Sequence, residues 1–164
     1  MAAREQVIPT PALVLGVAGL LPFIATALAS CTPSNIIELL AGAHSAPALK
    51  QLALNALGAY GAVILSFLGG IRWGSLLSDT SRLQQWQPLA LSVVPSLIAW
   101  PALLLKPSLM LSILVVGFLF QFALDVKAVK RGELPPWFGR LRTILTTGAV
   151  LSLLAGLIAH SLFS

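Results

Sequence analysis

The chain has 164 residues, of which 57% are hydrophobic and only 9% are charged, whereas an ordinary soluble domain has about 25% charged residues. The mean hydropathy is +0.93, and so few charges cannot cover the surface of a soluble protein of this size. The high apolar content also excludes a disordered chain, and the single cysteine excludes an internal disulfide scaffold. The composition therefore predicts an integral membrane protein.

Five uncharged stretches are long enough to cross a bilayer as helices, because a hydrocarbon core of roughly 30 Å needs about 17 to 25 residues. A barrel would show short alternating strands instead. Too little chain lies outside the stretches for a second domain. We therefore predict an all-α integral membrane protein with one membrane domain over residues 1–164, built as a bundle of five transmembrane helices. The predicted spans are 12–29, 52–71, 89–105, 108–124 and 143–163.

The basic residues divide unequally between the two sides that five spans define. Lys50 and Lys106 lie on one side, and eight basic residues lie on the side of the N-terminus. Because short cytoplasmic loops are enriched in Lys and Arg, this bias predicts a bacterial inner-membrane protein with a cytoplasmic N-terminus and an outer C-terminus. The net charge of +5 then reflects orientation, and we expect no nucleic-acid partner. The eight residues are Arg4, Arg72, Arg82, Lys127, Lys130, Arg131, Arg140 and Arg142.

Two connections between the predicted spans have recognisable patterns. After the first span, Thr32 and Pro33 favour a helix start with Pro at the first helical position, and the apolar residues of 36–40 predict a short helix on the outer surface. The inner loop, 125–142, is the largest basic feature. Within it, Gly132 is expected to end an extension of the fourth helix.

The first span has an alternative interpretation, because residues 28–31 (LASC) look like a bacterial lipobox. Cleavage there would leave a lipid-anchored Cys31 and four spans. The preceding apolar run is longer than the core of about 7 to 15 residues that is usual in a signal peptide. The interior of the run, 19–23 (GLLPF), suits a retained and kinked helix, so we favour five spans.

Small residues recur at every fourth position on the second and fifth spans. Such rows let helix backbones approach closely in lipid, where van der Waals contact replaces the hydrophobic drive. We interpret both rows as internal helix packing, and docking of a partner subunit on one row is the alternative. The rows are Gly58, Ala62, Ser66, Gly70 and Gly74 on the second span, and Gly148, Ser152 and Gly156 on the fifth.

Strong polar and aromatic groups collect at the inner ends of the predicted helices. Arg can bind a carboxylate or a phosphate with two hydrogen bonds, and the low dielectric nearby favours ion pairing. One interpretation is structural, with an aromatic belt and an ion pair between Asp125 and an Arg. The others are a headgroup site for an anionic lipid or a quinone, and a docking surface for another protein. This predicted inner rim consists of Arg72, Trp73, Gln121, Asp125, Trp137, Arg140 and Arg142.

The sequence contains no recognisable catalytic constellation, because the two acids of the inner loop and both histidines fall on opposite sides of the predicted membrane. No ionisable group lies deep in a span, which argues against an ion-coupled carrier. We therefore expect no enzyme, no metal site and no cofactor. The residues of metal-ligand type on the outer side lack ligand spacing; they are Cys31, Glu38, His44 and His160.

Several motifs resemble those of the transmembrane protein 69-like family over nearly the whole chain. They are residues 19–23, 64–74 (ILSFLGGIRWG), 95–100 (PSLIAW), Asp125 and 134–142 (LPPWFGRLR), of which 64–74 is the most specific. The resemblance implies a small multi-span protein of bacterial inner membranes, with relatives in the mitochondrial inner membrane and a retained first span. The family carries a domain of unknown function, so the resemblance implies no catalytic residues.

We therefore expect a non-enzymatic accessory or assembly protein that packs against other membrane proteins or against itself and has membrane lipids as partners. A lipid or quinone headgroup at the inner rim is part of this hypothesis. The first alternative is a transport or permeation path beside Pro22 of the first span and Pro95 of the third. The second is an enzyme that acts on a lipid, which would need a polar cluster buried beside Trp73 and Trp137.

Overall fold

The computed structural model describes residues 7–77 and 84–163. Within these ranges the regular structure is entirely helical, which confirms the all-α prediction. Arg4 and Arg82, two of the cations in the orientation argument, lie outside the described residues. In chain order the helices are α1 (Thr10–Ala18), α2 (Leu21–Cys31), α3 (Ser34–Ala41), α4 (Ala46–Leu76), α5 (Trp86–Ala102), α6 (Pro107–Lys130) and α7 (Pro136–Phe163).

Four helical segments of the described chain are long and apolar enough to cross a membrane: Thr10–Cys31, Ala46–Leu76, Pro107–Lys130 and Pro136–Leu162. They contain the first, second, fourth and fifth predicted spans. Helix α5, at the third, has 17 residues and rises about 25 Å, slightly less than the hydrocarbon core. It lies three residues earlier than predicted, because residues 103–105 form tight turns with i to i+3 hydrogen bonds ahead of Pro107.

The long helices continue past the apolar stretches that predicted them. Helix α4 has 31 residues and α6 has 24, because hydrogen bonding along a helix does not stop where the apolar residues do. Helix α6 ends at Gly132, whose φ of +73° favours glycine. The amide of Glu133 donates to the Ala128 carbonyl and that of Gly132 donates to the Val129 carbonyl, which together form a Schellman motif. The predicted helix end at Gly132 is confirmed.

The first span is interrupted between α1 and α2. Pro22 has no amide hydrogen to donate within the helix, and the break falls at Gly19 and Leu20. The hydroxyl of Tyr60, on α4, donates a 2.9 Å hydrogen bond to the Gly19 carbonyl at this break. Helix α4 therefore supports the kink in the first span.

The short helix predicted after the first span is present as α3, and it begins at Ser34 directly after Pro33. Ile37 is buried, whereas Leu39 and Leu40 are more than four-fifths exposed. The Lys50 ammonium group donates a 3.1 Å hydrogen bond to the Ser34 hydroxyl and joins α3 to α4. The location of α3 on a membrane surface stays a prediction.

The core lies where α2, α4, α6 and α7 pack together. Phe23 is at its centre, with edge-to-face ring contacts to Tyr60 at 5.0 Å and to Phe118 at 5.8 Å between centroids. Such pairs add to the packing contribution of the apolar area. The other largest side chains that are fully buried here are Leu57, Leu65, Leu111, Leu114 and Leu153.

The small residues of α4 divide between the core and the surface. Gly58 packs against Met110 and Ala62 is buried, Ser66 is half-buried, and a Cβ atom at Gly70 or Gly74 would have no neighbour within 4 Å. Four residues turn a helix by about 40° more than one full turn, so a row at this spacing winds away from one interface. Gly70 and Gly74 therefore face open space within residues 7–77 and 84–163.

The row on α7 packs inside the bundle at both ends. Gly148 lies against Leu20 at the break in the first span, and Gly156 lies against Leu57 of α4. Between them, the Ser152 hydroxyl donates to the Gly148 carbonyl at 2.9 Å.

Candidate functional site

A buried cluster of polar side chains joins α4, α6 and α7 near the connection between the last two helices. Asp125 is at its centre and is 2% exposed. The Arg142 Nε donates to its Oδ2 at 2.8 Å, and the Gln121 Nε2 donates to its Oδ1 at 3.0 Å. Gln121 and Arg142 are also almost completely buried. We call Arg72, Gln121, Asp125 and Arg142 the buried arginine centre.

Arg72 is the second cation of this centre. Its Nη1 lies 3.9 Å from the Asp125 Oδ1, which is an ion-pair distance but too long for a hydrogen bond. The four residues of the centre thus include two guanidinium groups and one carboxylate, and Glu133 shares the lining of a small cavity with Arg72. A buried charge is costly unless it is paired and hydrogen-bonded, so the buried donors of the two guanidinium groups call for acceptors.

Several polar atoms of the centre, and the hydroxyl of Thr146 one helical turn after Arg142, are buried without a hydrogen-bond partner among the described residues. Buried polar groups are nearly always hydrogen-bonded, and each exception needs a reason. Three of the five are guanidinium donors, and these favour an acceptor oxygen as their missing partner. The five atoms are the Arg72 Nε and Nη1, the Arg142 Nη2, the Gln121 Oε1 and the Thr146 Oγ1.

Thr146 is the residue that sequence reasoning missed. It is 4% exposed and lies one helical turn after Arg142 on α7. The spacing of four residues places the two side chains on one helix face, and this spacing was the available signal. Thr143 and Thr147 lie close to it in the sequence and are exposed, so the residue type alone does not distinguish the buried threonine from its neighbours.

Two cavities of different character lie beside the centre. One has a volume of about 10 Å³ and is lined by Arg72, Ser75 and Glu133 among others, which leaves room for about one water molecule. The other, which we call the Arg142 cavity, has a volume of about 150 Å³ and apolar walls from α1, α2, α4, α6 and α7. Arg142 is the single charged residue in its lining.

The remaining residues of the predicted rim lie around the centre. Trp73 is 44% exposed and Arg140 is exposed on the first turns of α7. Trp137 is half-buried, with its ring 6.0 Å from that of Phe138. The structure thus brings four of the seven predicted residues into one cluster and places the other three at the surface nearby.

Trp137 also lines a surface groove of about 600 Å³ between the start of α1 and the loop after α6. The groove lining includes Glu133, and the exposed cations Lys127, Lys130, Arg131 and Arg140 lie within a few residues of the lining in the sequence. An aromatic side chain beside clustered cations is typical of a membrane interface with anionic lipid headgroups.

Apolar cavities lie beside both proline-interrupted spans, where a permeation path is the alternative prediction. The Arg142 cavity includes Gly19 and Phe23 of the first span. A second cavity, of about 390 Å³, lies between α5 and α6 and includes Val94 and Ile98 of the third span. These two cavities share no lining residue.

The outer residues of metal-ligand type do not gather into one site. Within residues 7–77 and 84–163, no three His, Cys, Asp or Glu side chains are close enough to hold a metal ion. Cys31 is exposed, and its thiol lies 3.7 Å from the Ala155 carbonyl of α7. His160 lines a cavity of about 220 Å³ together with Lys50.

Comparison with known proteins places this chain in a family. The family described as protein of unknown function (DUF3429) matches residues 8–158. Transmembrane protein 69 of Xenopus tropicalis is 37% identical over 156 residues, and that of Mus musculus is 33% identical over 156 residues. Each alignment covers 94% of this chain, but only 56% and 58% of the respective relative.

The chain thus spans little more than half the length of these relatives. No solved structure matches it. The motifs around the buried arginine centre fall within the matched region. The name of the family states that its function is unknown, and the names of the two relatives state only that they are transmembrane proteins. The chain is a multi-pass membrane protein that belongs to the transmembrane protein 69-like family.

Proposed function

We propose that this protein is a non-enzymatic accessory or assembly protein of the membrane, which binds the headgroup of a lipid or a quinone at the buried arginine centre. The observation that carries the proposal is that Arg72 and Arg142 lie against one carboxylate and keep buried guanidinium donors with no hydrogen-bond partner among the described residues. A headgroup oxygen is the acceptor that a membrane supplies most readily at the end of a helix bundle.

The surroundings of the centre support a role in binding rather than in chemistry. Asp125 is already engaged by Arg142 and Gln121, so it is not poised to take a proton from a substrate. The exposed cations and Trp137 near the groove attract anionic lipid, with a contribution of about 1 kcal/mol for each Lys or Arg at the surface.

The proposed membrane placement has five spans, with α5 as the third. Its 17 residues suffice if the bilayer thins slightly or if residues 103–105 complete the crossing, and modest mismatch costs fractions of a kcal/mol per Å. The N-terminus is then cytoplasmic and the buried arginine centre lies at the inner side of a bacterial inner membrane. The short helix α3 lies on the outer surface.

Gly70 and Gly74 provide the surface through which we propose that another membrane protein or a second copy of this chain docks. They are exposed and face open space in the part of the chain that the structure describes, and small residues favour close helix contact in lipid. Trp73 lies beside them and is partly exposed.

The test is purification of the full chain in a gentle detergent, followed by native mass spectrometry to identify retained lipid, quinone and protein. Arg72→Ala should remove the retained headgroup species, and Gly70→Leu should remove the retained protein or the second copy. The control is Val63→Leu, a substitution at an exposed position of the same helix, α4. If Arg72→Ala and Gly70→Leu both leave lipids and proteins unchanged, the proposal is wrong.

A further inference from the structure

We propose that the Arg142 cavity, whose volume of about 150 Å³ suffices for about six carbons, holds the first part of the hydrocarbon chain of an acidic amphiphile. The anionic oxygen group of this ligand accepts hydrogen bonds from the buried arginine centre, and the rest of the chain extends through the mouth of the cavity. This inference rests on the proposed function and narrows its ligand from any lipid or quinone headgroup to an acid with a hydrocarbon chain. The acid is either a free fatty acid or the phosphate of a phospholipid, and these share the chemistry that the site would recognise.

The lining of the cavity fits a chain attached to an acid. Its walls are leucine, isoleucine, phenylalanine, alanine and glycine residues, and Arg142 is the one charged group among them. The Arg142 Nη2 is buried without a hydrogen-bond partner, whereas its Nε is already bound to Asp125. The cavity therefore combines an apolar volume, which suits a hydrocarbon chain, with an available cationic donor, which suits an anionic headgroup.

The charge of the centre decides between an acid and a neutral carbonyl compound such as a quinone. Both could accept a hydrogen bond from Arg142. Only an anion also brings a negative charge to a centre that contains two guanidinium groups and one carboxylate, and charged acceptors form the stronger bonds with guanidinium groups. The acid is therefore favoured, and the quinone becomes an outcome of the test.

The position of the cavity explains how such a ligand enters. Leu15 of α1 and Phe67 of α4 are both part of the lining and are 73% and 63% exposed, so they lie at its mouth on the surface of the bundle. The break at Gly19 and Leu20 adds two further residues to the wall. A chain can thus enter sideways from the bilayer, without passage through water.

The experiment uses the full chain, stripped of lipid in detergent, and measures binding of four added probes by native mass spectrometry. The probes are oleate, dioleoylphosphatidic acid, a ubiquinone with a short isoprenoid tail, and methyl oleate, which has the same chain as oleate without the charge. We expect an acid to bind at least about tenfold more tightly than methyl oleate, because hydrogen bonds to charged groups are the stronger ones. Tighter binding of oleate would indicate a free fatty acid as the ligand, and tighter binding of dioleoylphosphatidic acid would indicate a phospholipid.

Two pairs of variants test the place of binding. Ala149→Leu adds three carbons to the buried wall, and Leu15→Trp obstructs the mouth; each should lower acid binding about tenfold. The matched controls are Ala18→Leu and Val14→Trp, the same substitutions at exposed positions of α1 outside the lining. If Ala149→Leu fails to fold, Leu15→Trp at the exposed mouth still tests whether the acid binds in the Arg142 cavity.

A third pair tests the charge. Arg72→Gln leaves one guanidinium group for one carboxylate and should weaken the acid without changing methyl oleate, whereas Arg72→Lys should retain the preference. Equal binding of oleate and methyl oleate, or equal binding by the Leu15→Trp and Val14→Trp variants, would overturn the inference. Tighter binding of a quinone than of either acid would do the same. If these tests fail while Arg72→Ala still removes a retained headgroup, the proposed function stands and only its narrowing to a chain-bearing acid is wrong.

Discussion

Gly69 on α4 lies against the main-chain carbonyl of Ser92 on α5, so closely that a Cβ atom at position 69 would overlap the carbonyl oxygen. The adjacent Gly70 faces open space. Two neighbouring glycines therefore have different roles. Gly69 permits the close approach of two helix backbones, whereas Gly70 has open space beside it in the described part of the chain.

The two glycines predict opposite effects of one substitution. Gly69→Ala should lower the free energy of unfolding by about 1–3 kcal/mol, because the added carbon forces α4 and α5 apart. Gly70→Ala should leave it unchanged or raise it by up to about 1 kcal/mol, because alanine is the better helix former. Thermal unfolding in one detergent measures both, and an equal loss in the two variants would contradict this account of the α4–α5 contact.

The charge balance of the buried arginine centre makes a second prediction. Asp125→Asn removes the carboxylate that Arg72 and Arg142 share, and loss of one partner from a buried pair costs about 3–5 kcal/mol. Glu38→Gln is the control change at an exposed position of α3, and it should cost less than about 1 kcal/mol. Chemical denaturation of both variants checks the difference; similar costs would mean that Asp125 is not buried in the membrane-embedded protein.

The end of α6 provides a third prediction. Gly132 has a φ of +73°, and an L-residue in this conformation is disfavoured by about 1–2 kcal/mol. Gly132→Ala should therefore lower stability by about that amount. Gly139→Ala, on the first turn of α7, meets only ordinary contacts with Val129 and should be neutral or mildly stabilising. The melting temperatures of the two variants test the Schellman motif directly.

The number of spans can be decided by the sides on which the termini lie. With α5 as a span, the count is odd and the termini face opposite sides; without it, the count is even and they face the same side. A fluorescent protein that matures only in the cytoplasm should be bright at the N-terminus and dark at the C-terminus. A fusion after Gly132 controls for expression and should be bright. A bright C-terminal fusion would contradict the proposed orientation.

The sequence was sufficient to locate the helices but not to define their rotation about their own axes. Apolar length identified all five helical regions, and glycine and proline identified the end of α6 and the break before Pro22. Their signals are local: a positive φ or a missing amide acts on the residue itself. The helix ends extended beyond the apolar stretches because hydropathy reports the environment of a residue and not its backbone hydrogen bonding.

The sequence alone does not show whether Arg140 or Arg142 is the partner of Asp125. Arg140 and Arg142 were both predicted rim residues, two positions apart on one helix and therefore on different faces. The structure places Arg142 in the core and Arg140 at the surface. That choice depends on how α7 is rotated against α2 and α6, which is decided by packing of residues such as Leu153 far along the chain.

The link between Asp125 and Arg142 has a consequence for how the protein is made. The two residues are 17 positions apart and belong to consecutive helices, so neither helix alone can neutralise its charge. A charged residue in a single inserting helix costs about 2.5–3.5 kcal/mol at the bilayer centre and less near its end. We therefore expect the translocon to release α6 and α7 as one hairpin, so that Arg142, near the start of α7, stabilises a helix that the ribosome completed earlier.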